Sequence, residues 1–142
     1  PGAVLNPLSK VASGGELSRI MLAIKTVFAD VDQIESLIFD EIDVGISGRT
    51  AQMVSEKMSI LGKNHQIICI THLPQIAAMA DTHFVIEKIS SAKETETRIR
   101  RLSDEQSTEE LARMLGGVEI TQAVLANAKE MKELAKNQKQ YS

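Results

Sequence analysis

Two stretches of the chain have the apolar spacing of amphipathic helices. In residues 17–28 large apolar side chains recur every three or four positions, which predicts a helix with one buried face formed by Leu17, Ile20, Met21, Ile24, Val27 and Phe28. The other face of this helix carries Ser18, Arg19 and Lys25. A second helical pattern follows residue 48 and ends near Gly62, and its inward face comprises Ala51, Val54, Met58 and Leu61.

Short apolar runs flank the second helix. Residues 35–41 contain a continuous apolar run that ends in two adjacent acids, as expected for a strand buried on both faces that ends at a polar edge. Residues 66–71 predict another strand. The order strand, helix, strand predicts a βαβ unit with parallel strands and a right-handed crossover. Ligands in such sheets bind at the carboxyl ends of the strands.

The rest of the chain predicts a short helix over 75–80 and two β runs, 83–89 and 97–102, joined by a polar hairpin loop over 90–96. Ser107–Glu110 has the form of a capping box that opens a helix ending at Gly116 and Gly117, and a last helix begins near Glu119. We therefore expect one α/β domain over 1–142. It would have a parallel βαβ core with helices packed on it, a β-hairpin and C-terminal helices.

Composition narrows the possible partners. The formal net charge is −3 without a long block of like charge, which does not indicate a basic surface for nucleic acid. The four aromatic side chains are scattered, which argues against a platform for stacking bases. A single cysteine excludes a disulfide within the chain and fits a reducing, cytosolic setting. No apolar run reaches the roughly 18 to 20 residues of a membrane span, so we expect no membrane partner.

Ser13, Gly14, Gly15 and Glu16 directly precede the first helix. Ser13 can cap the helix and Glu16 can reach back to it. Capping leaves the two glycines unexplained, although each costs on the order of 1 kcal/mol relative to alanine inside a helix. Bare backbone at a helix N-terminus also lets a phosphate approach closely. Capping and phosphate contact both remain open at this point.

Asp40 and Glu41 end the first strand in the form of a Walker B motif. There the first acid helps to hold Mg²⁺ and the second orients or deprotonates a water. The alternative is that both carboxylates only solvate the strand end. In the turn that follows, Ser47 could cap the next helix. His72 ends the second strand, where it could bond a γ-phosphate or a water or have a structural role.

Three further side chains capable of chemistry stand apart from these motifs. His65 and His83 have no such neighbours in the sequence, and we interpret them as surface residues or as residues satisfied by hydrogen bonds. Cys69 lies between Ile68 and Ile70, and it is predicted to be a small buried hydrophobic residue.

Taken together and in this order, four segments resemble the signature motif, Walker B strand, D-loop and switch histidine of ATP-binding-cassette (ABC) ATPases: Ser13–Glu16, Leu37–Glu41, Asp43–Gly48 and His72. The longer stretches 10–19, 39–48 and 71–77 look like the RecN family, SMC-like ATPases of bacterial DNA repair. Transporter cassettes usually have Gln in place of Glu16 and a different D-loop. The resemblance covers essentially the whole chain and is most specific over residues 8–80.

The resemblance implies the C-terminal lobe of a P-loop NTPase head of the ABC/SMC type. No G-x-x-x-x-G-K-[ST] motif occurs in the chain. In proteins of this family the Walker A motif lies in an N-terminal lobe, separated by a long coiled coil. We therefore expect an ATPase in the full-length protein and no turnover by these 142 residues alone. The setting implied is the bacterial cytoplasm and nucleoid, in recombinational repair of DNA double-strand breaks.

The resemblance also implies a role for each matching residue. Asp40 would help to hold Mg²⁺, Glu41 would position or activate the hydrolytic water, and His72 would sense the γ-phosphate of ATP. The signature residues would reach the γ-phosphate of a nucleotide held by a second head (Ser13, Gly14, Gly15 and Glu16). Asp43 and Ser47 would contact that second head.

The implied cofactors are thus ATP and Mg²⁺, and the implied partners are the N-terminal P-loop lobe and a second head in a homodimer. DNA would be bound through the full-length protein, not clearly through this chain. Two alternatives stay open: a non-catalytic dimerisation or docking module, and the head of another SMC-type or ABC ATPase. We also expect an exposed apolar seam where the other lobe docks.

Overall fold

A computed structural model describes residues 7–29, 31, 33–90, 95–117 and 119–141. The chain forms two compact units, Pro1–Leu73 and Pro74–Ser142. The single domain expected over 1–142 stays a prediction. They are called unit 1 and unit 2 below, and each is described by itself. Within the described ranges, no helix combines the length and the apolar character needed to cross a membrane.

The described residues of unit 1 form three helices and two strands: α1 (Leu8–Val11), α2 (Gly14–Val27), β1 (Ser36–Phe39), α3 (Gly48–Leu61) and β2 (Gln66–Cys69). β1 and β2 pair in parallel, with Ser36 opposite Gln66 and Phe39 opposite Cys69. Since α3 connects them, the predicted βαβ unit is confirmed. The parallel pairing brings the carboxyl ends of β1 and β2 to the same edge of the sheet.

The interior of unit 1 lies mainly around α3. All four side chains predicted to face inward on this helix are buried, which confirms the periodicity argument. The large apolar side chains buried in unit 1 are Leu22, Phe39, Ile42, Val54, Met58 and Leu61. Ile42 belongs to the turn after β1, so this turn is anchored in the interior and not only at its ends.

The predicted orientation of α2 is wrong. The six apolar side chains expected to face inward are 39–78% exposed, and Leu22 is the large apolar side chain of α2 that is buried. Instead, Ser18 and Arg19 face the turn after β1. The physical reason is that backbone carbonyls in this turn need hydrogen-bond donors, which the apolar face cannot supply.

The prediction that β1 is buried on both faces is also wrong. Phe39 is buried, but Ile38 is 70% exposed. Ile68 on β2 and Ile70 directly after β2 are exposed as well, and Ile68 is the register partner of Ile38. Because side chains alternate along a strand, these three share one face of the sheet. The described residues therefore leave uncovered a face that parallel sheets normally bury.

Unit 2 contains a short helix, a hairpin and two longer helices: α4 (Pro74–Ala77), β3 (Phe84–Ser90), β4 (Thr95–Arg101), α5 (Asp104–Gly116) and α6 (Gln122–Tyr141). β3 and β4 pair antiparallel, with Phe84 opposite Arg101. The predicted hairpin and C-terminal helices are confirmed, and residues 91–94 of the predicted hairpin loop lie outside the described residues. Small side chains dominate the core of this unit: Ala77, Ala78, Met79, Leu111, Ala112, Ala128 and Ala135.

The predicted start of α5 is wrong by one helical turn. Ser103 caps the helix, since its Oγ accepts from the Gln106 N–H (3.2 Å) and the Gln106 Oε1 accepts from the Ser103 N–H (3.1 Å). Ser107, the cap expected from the sequence, is buried inside the helix with its Oγ 3.0 Å from His83 Nδ1. Two consecutive capping boxes, 103–106 and 107–110, are available here, and the one that directly follows β4 forms. The end of α5 at Gly116 is as predicted, and Gly117 has a positive φ of 70°.

Candidate functional site

All nine predicted site residues lie in unit 1: Ser13, Gly14, Gly15, Glu16, Asp40, Glu41, Asp43, Ser47 and His72. They are positioned by the N-terminus of α2, by the turn after β1 and by the segment after β2. The structure brings most of them together in two places. Gly14 and Gly15 lie against Glu41, and Asp43 contacts His72.

The turn after β1, residues 40–45, holds Glu41 in an unusual backbone conformation. Its φ is +56°, in the left-handed region that costs a residue with a side chain roughly 1–2 kcal/mol. Asp40 Oδ1 accepts from the Glu41 N–H (2.9 Å), and the Glu41 carbonyl accepts from the Val44 N–H (3.0 Å). The Glu41 side chain is exposed, so the turn presents a carboxylate to solvent at the end of β1.

The first two turns of α2 supply donors to this turn. Ser18 Oγ donates to the Asp40 carbonyl (2.9 Å). Arg19 Nη1 donates both to the Ile42 carbonyl (3.0 Å) and to the Val44 carbonyl (2.9 Å). Sequence reasoning had placed Ser18 and Arg19 only on the polar face of the helix. Their role could have been suspected from the sequence, because both residues follow the signature motif within one helical turn and lie opposite the apolar stripe.

The two glycines of the signature motif are explained by close packing within the chain. A Cβ on Gly15 would lie 2.6 Å from the Glu41 carbonyl oxygen and 3.2 Å from the Val44 Cβ. A Cβ on Gly14 would overlap the Glu41 Oε2, which is the far end of a flexible side chain. Gly15 is therefore required by backbone packing, whereas Gly14 keeps the Glu41 carboxylate next to the N-terminus of α2, where a negative charge is favoured.

The capping interpretation of Ser13 and Glu16 is confirmed. Ser13 Oγ accepts from the Glu16 N–H (3.4 Å), and Glu16 Oε2 accepts from the Ser13 N–H (2.8 Å) and from the Ser13 hydroxyl (2.9 Å). The hydrogen bonds from the Ser13 N–H and hydroxyl lower the pKa of Glu16. The capping box thus keeps Glu16 ionised and engaged, while Ser13 and Gly14 stay exposed at the helix end.

Asp43 joins the segments that follow the two strands. Its Oδ2 accepts from the Thr71 hydroxyl (2.6 Å) and from the His72 N–H (2.8 Å), and it lies 3.0 Å from His72 Nδ1. Burial would raise the pKa of Asp43, but the hydrogen bonds from Thr71 and from the His72 backbone outweigh it and hold the pKa below its ordinary value.

The exposures of the Asp43–His72 pair differ sharply. Asp43 is 3% exposed and the His72 side chain is 70% exposed. Within the chain, the Asp43 carboxylate contacts Thr71 and His72. Its expected contact with a second head stays a prediction. The sequence did not identify Thr71 as a site residue, although its position directly before His72 places it at the same strand end. Asp43 is placed to orient the His72 ring, in the way that a carboxylate orients a catalytic imidazole.

Ser47 and Asp40 are exposed and have few contacts. Ser47 occupies the N-cap position of α3, but its side chain makes no capping hydrogen bond. Asp40 presents its carboxylate to solvent with one oxygen bonded to the Glu41 N–H. A single carboxylate combined with phosphate oxygens and waters is a usual protein environment for Mg²⁺, so Asp40 fits that ion. Among the residues that the structure describes, no three His, Cys, Asp or Glu side chains are grouped to hold a metal.

The remaining candidates differ in part from expectation. Burial raises the pKa of Cys69 to about 12, with the Asp43 and Asp40 carboxylates adding to the shift, so this half-buried thiol stays protonated. His65 is buried with Nδ1 2.6 Å from the Ile34 carbonyl, but its Nε2 has no partner among the described residues, against the expectation of a satisfied or surface side chain. His83 is half-buried, and burial lowers its pKa.

The two glycines respond differently to the same substitution. Gly15→Ala is expected to lower the free energy of unfolding by about 1–3 kcal/mol, because the new Cβ would push against the backbone of Glu41. Gly14→Ala is the matched control, since its Cβ meets only a mobile carboxylate and gains about 0.5–1 kcal/mol of helix propensity. Urea unfolding of the 142-residue chain measures both, and equal losses would contradict the packing argument.

The Asp43 interactions predict a pH dependence of stability. Because the folded pKa of Asp43 is below its ordinary value, its contribution is present above that ordinary value and is lost as the pH falls through the folded pKa. Asp43→Asn should therefore cost stability at about pH 6 and cost less at about pH 3. The measurement is the urea midpoint of both proteins at the two pH values, and a cost that does not shrink on acidification would refute this assignment.

No protein-family model matches the chain. The chain is 51% identical over 135 residues to the DNA repair protein RecN of Halalkalibacterium halodurans, covering 95% of the chain and 24% of that protein. It is 50% identical over 131 residues to RecN of Vibrio cholerae (92% of the chain, 24% of that protein) and 49% identical over 130 residues to RecN of Treponema pallidum (92% and 23%).

The chain spans about a quarter of the length of these relatives. The match to each of these relatives covers more than nine tenths of the chain. Each of these three proteins is identical to the chain at about half of the aligned residues. The chain therefore belongs to the RecN family.

Proposed function

We propose that this chain is the C-terminal lobe of an ATPase head that acts in the recombinational repair of DNA double-strand breaks. The observation that carries the proposal is the 3.0 Å contact between Asp43 Oδ2 and His72 Nδ1. It joins the segments after the two parallel strands, so that Asp40, Glu41 and His72 gather at the carboxyl edge of the sheet, where α/β proteins bind their ligands. The relatives carry the name of DNA repair proteins.

Each residue at this edge suits one part of ATP hydrolysis. Asp40 would hold Mg²⁺, which when bound neutralises charge on the phosphate oxygens. Glu41 presents an exposed carboxylate that can orient a water and accept its proton. With Nδ1 facing Asp43, a neutral His72 ring presents Nε2 as an acceptor for a water proton, and a protonated ring presents it as a donor to a phosphate oxygen.

The N-terminus of α2 suits a phosphate of a nucleotide held by a second head. Ser13 and Gly14 are exposed there, and the first N–H groups of a helix have no partner within the helix. In this scheme Gly15 lets α2 pack closely against the Glu41 backbone, and Glu16 maintains the capping box with Ser13. Ser47 would contact the second head. ATP would then connect two heads as a homodimer, and hydrolysis would release them.

The uncovered apolar surface of unit 1 suits the P-loop lobe of the same protein. Ile38, Ile68 and Ile70 form an open face on a parallel sheet, and the exposed stripe of α2 adds a second apolar surface. A phosphate-binding loop of the Walker A form is missing from the chain, although the rest of the proposed site needs one. The full-length protein would bind DNA and work in the cytoplasm at the nucleoid.

Turnover by reassembled lobes tests the proposed function. The 142-residue chain is mixed with the separately produced P-loop lobe of the same protein, and ATP hydrolysis is measured with and without DNA. We expect turnover only on mixing. Glu41→Gln should lower it by about 100-fold or more, since it removes the proposed base. Glu35→Gln, the same change at the other end of β1, is the matched control and should keep wild-type turnover.

The two outcomes lead to different conclusions. If Glu41→Gln loses turnover and Glu35→Gln keeps it, the reassembled protein is an ATPase in which Glu41 is essential for hydrolysis. A verified complex of the two lobes that hydrolyses no ATP would contradict the proposal and favour a docking module.

The open sheet face predicts a specific loss of lobe binding. Ile38→Gln should weaken binding of the P-loop lobe by about tenfold or more, because it removes an apolar side chain that would be buried in the complex. Ile99→Gln on β4 is the matched control, since the two isoleucines are 70% and 69% exposed. Calorimetric titration of each variant with the P-loop lobe measures the effect, and equal affinities would rule out this face.

A further inference from the structure

The backbone of Glu41 is held from both sides by two side chains of α2. The carbonyl before Glu41, that of Asp40, accepts from Ser18 Oγ at 2.9 Å. The carbonyls after it, those of Ile42 and Val44, accept from Arg19 Nη1 at 3.0 and 2.9 Å. Neither Ser18 nor Arg19 belongs to the signature or Walker B motif.

We propose that Ser18 and Arg19 are positioning residues for Glu41, which make the N-terminus of α2 and the turn after β1 a single rigid body. The inference rests on the proposed ATPase function. In that function the helix end faces the nucleotide of a second head, while Glu41 faces the nucleotide of its own. A change at one nucleotide would therefore reach the other through Ser18 and Arg19.

The conformation of Glu41 explains why such support is needed. A left-handed φ of +56° is unfavourable for glutamate and persists only where the surroundings impose it. Relaxation of the turn to an ordinary negative φ would redirect the Cα–Cβ bond and move the carboxylate away from Gly14. The bonds from Ser18 and Arg19 oppose this relaxation, because Ser18 holds the peptide group directly before Glu41 and Arg19 holds the carbonyl of the next residue, Ile42.

Arg19 makes the stronger of the two connections. Its guanidinium is a charged donor, and hydrogen bonds from a charged donor are about twice as strong as neutral ones. Nη1 also lies 3.2 Å from the position of a Cβ on Gly15, so the guanidinium passes beside the backbone of the signature motif. Truncation of Arg19 would leave the Ile42 and Val44 carbonyls without this donor.

The size of the expected effect follows from the geometry of general-base catalysis. A misplacement of a reacting group by about 1 Å can lower the rate by roughly 100-fold. Loss of Arg19 leaves the Ser18 bond and the buried Ile42 side chain in place, so the turn would loosen only in part. We therefore expect about a tenfold decrease in kcat for Arg19→Ala and a smaller decrease for Ser18→Ala.

The test uses steady-state ATP hydrolysis by the full-length protein together with the amount of ATP bound per chain at saturation. For Arg19→Ala we expect kcat to fall about tenfold while KM and the amount of bound ATP stay within about twofold of wild type. Arg19→Lys should restore kcat to within about threefold of wild type. Both hydrogen bonds are donated by the same nitrogen, Nη1, and a lysine ammonium can also donate two hydrogen bonds. Arg101→Ala, which removes an exposed arginine of β4, is the matched control.

The possible outcomes separate this inference from the proposed function. Wild-type kcat in Arg19→Ala, with turnover abolished in Glu41→Gln, overturns the positioning role and leaves the ATPase intact. A fall in kcat that is matched by less bound ATP and is not rescued by lysine also overturns it, because Arg19 would then only stabilise the fold. Turnover that survives Glu41→Gln overturns both. If Arg19→Ala does not fold, Ser18→Ala decides, with an expected two- to fivefold decrease in kcat at unchanged ATP binding.

Discussion

The left-handed conformation of Glu41 is the constraint around which unit 1 is organised. A turn that holds a glutamate at positive φ exposes several backbone carbonyls, and those carbonyls must find donors. α2 provides the donors through Ser18 and Arg19, which requires the helix to approach with its polar side and to bring Gly15 against the Glu41 carbonyl. The orientation of the helix, the need for glycine and the place of the carboxylate are thus consequences of one turn.

Asp43, in the same turn, connects it to the segment that follows β2. It is buried, yet it stays ionised because Thr71 and the His72 backbone donate to it, and the bonds it accepts tie the turn to the segment after β2. One carboxylate therefore connects the two strand ends and sets the orientation of His72. The side chains of Asp40, Glu41 and His72 are exposed and free to contact a ligand. The buried side chains of Ile42 and Asp43 hold the turn in place.

The apolar surface of unit 1 follows from the same arrangement. Because the polar face of α2 is turned toward the loop, its apolar stripe points away, and Ile38, Ile68 and Ile70 remain open on the sheet. Surfaces of this kind normally mark places where another part of a protein packs. Since the chain spans about a quarter of its relatives, the open faces support the proposal that a second lobe completes the sheet and supplies the phosphate-binding loop.

The sequence by itself determined most of the elements of this protein and its family. The periodicity over residues 48–61 predicted α3 and its buried face, and the two short apolar runs predicted the parallel strands, because these signals depend only on residues close together in the chain. The order of the motifs between Ser13 and His72 indicated the RecN family. Tertiary structure decided which face of α2 turns inward, which of two capping boxes opens α5, and why a side chain at position 15 would press against the backbone of Glu41. Apolar spacing identified a stripe on α2 but not its partner, and the carbonyls that reversed its orientation lie more than twenty residues away in sequence. Such long-range hydrogen-bond requirements leave no periodic trace, so only the folded chain could show that Ser18, Arg19 and Asp43 hold the site together.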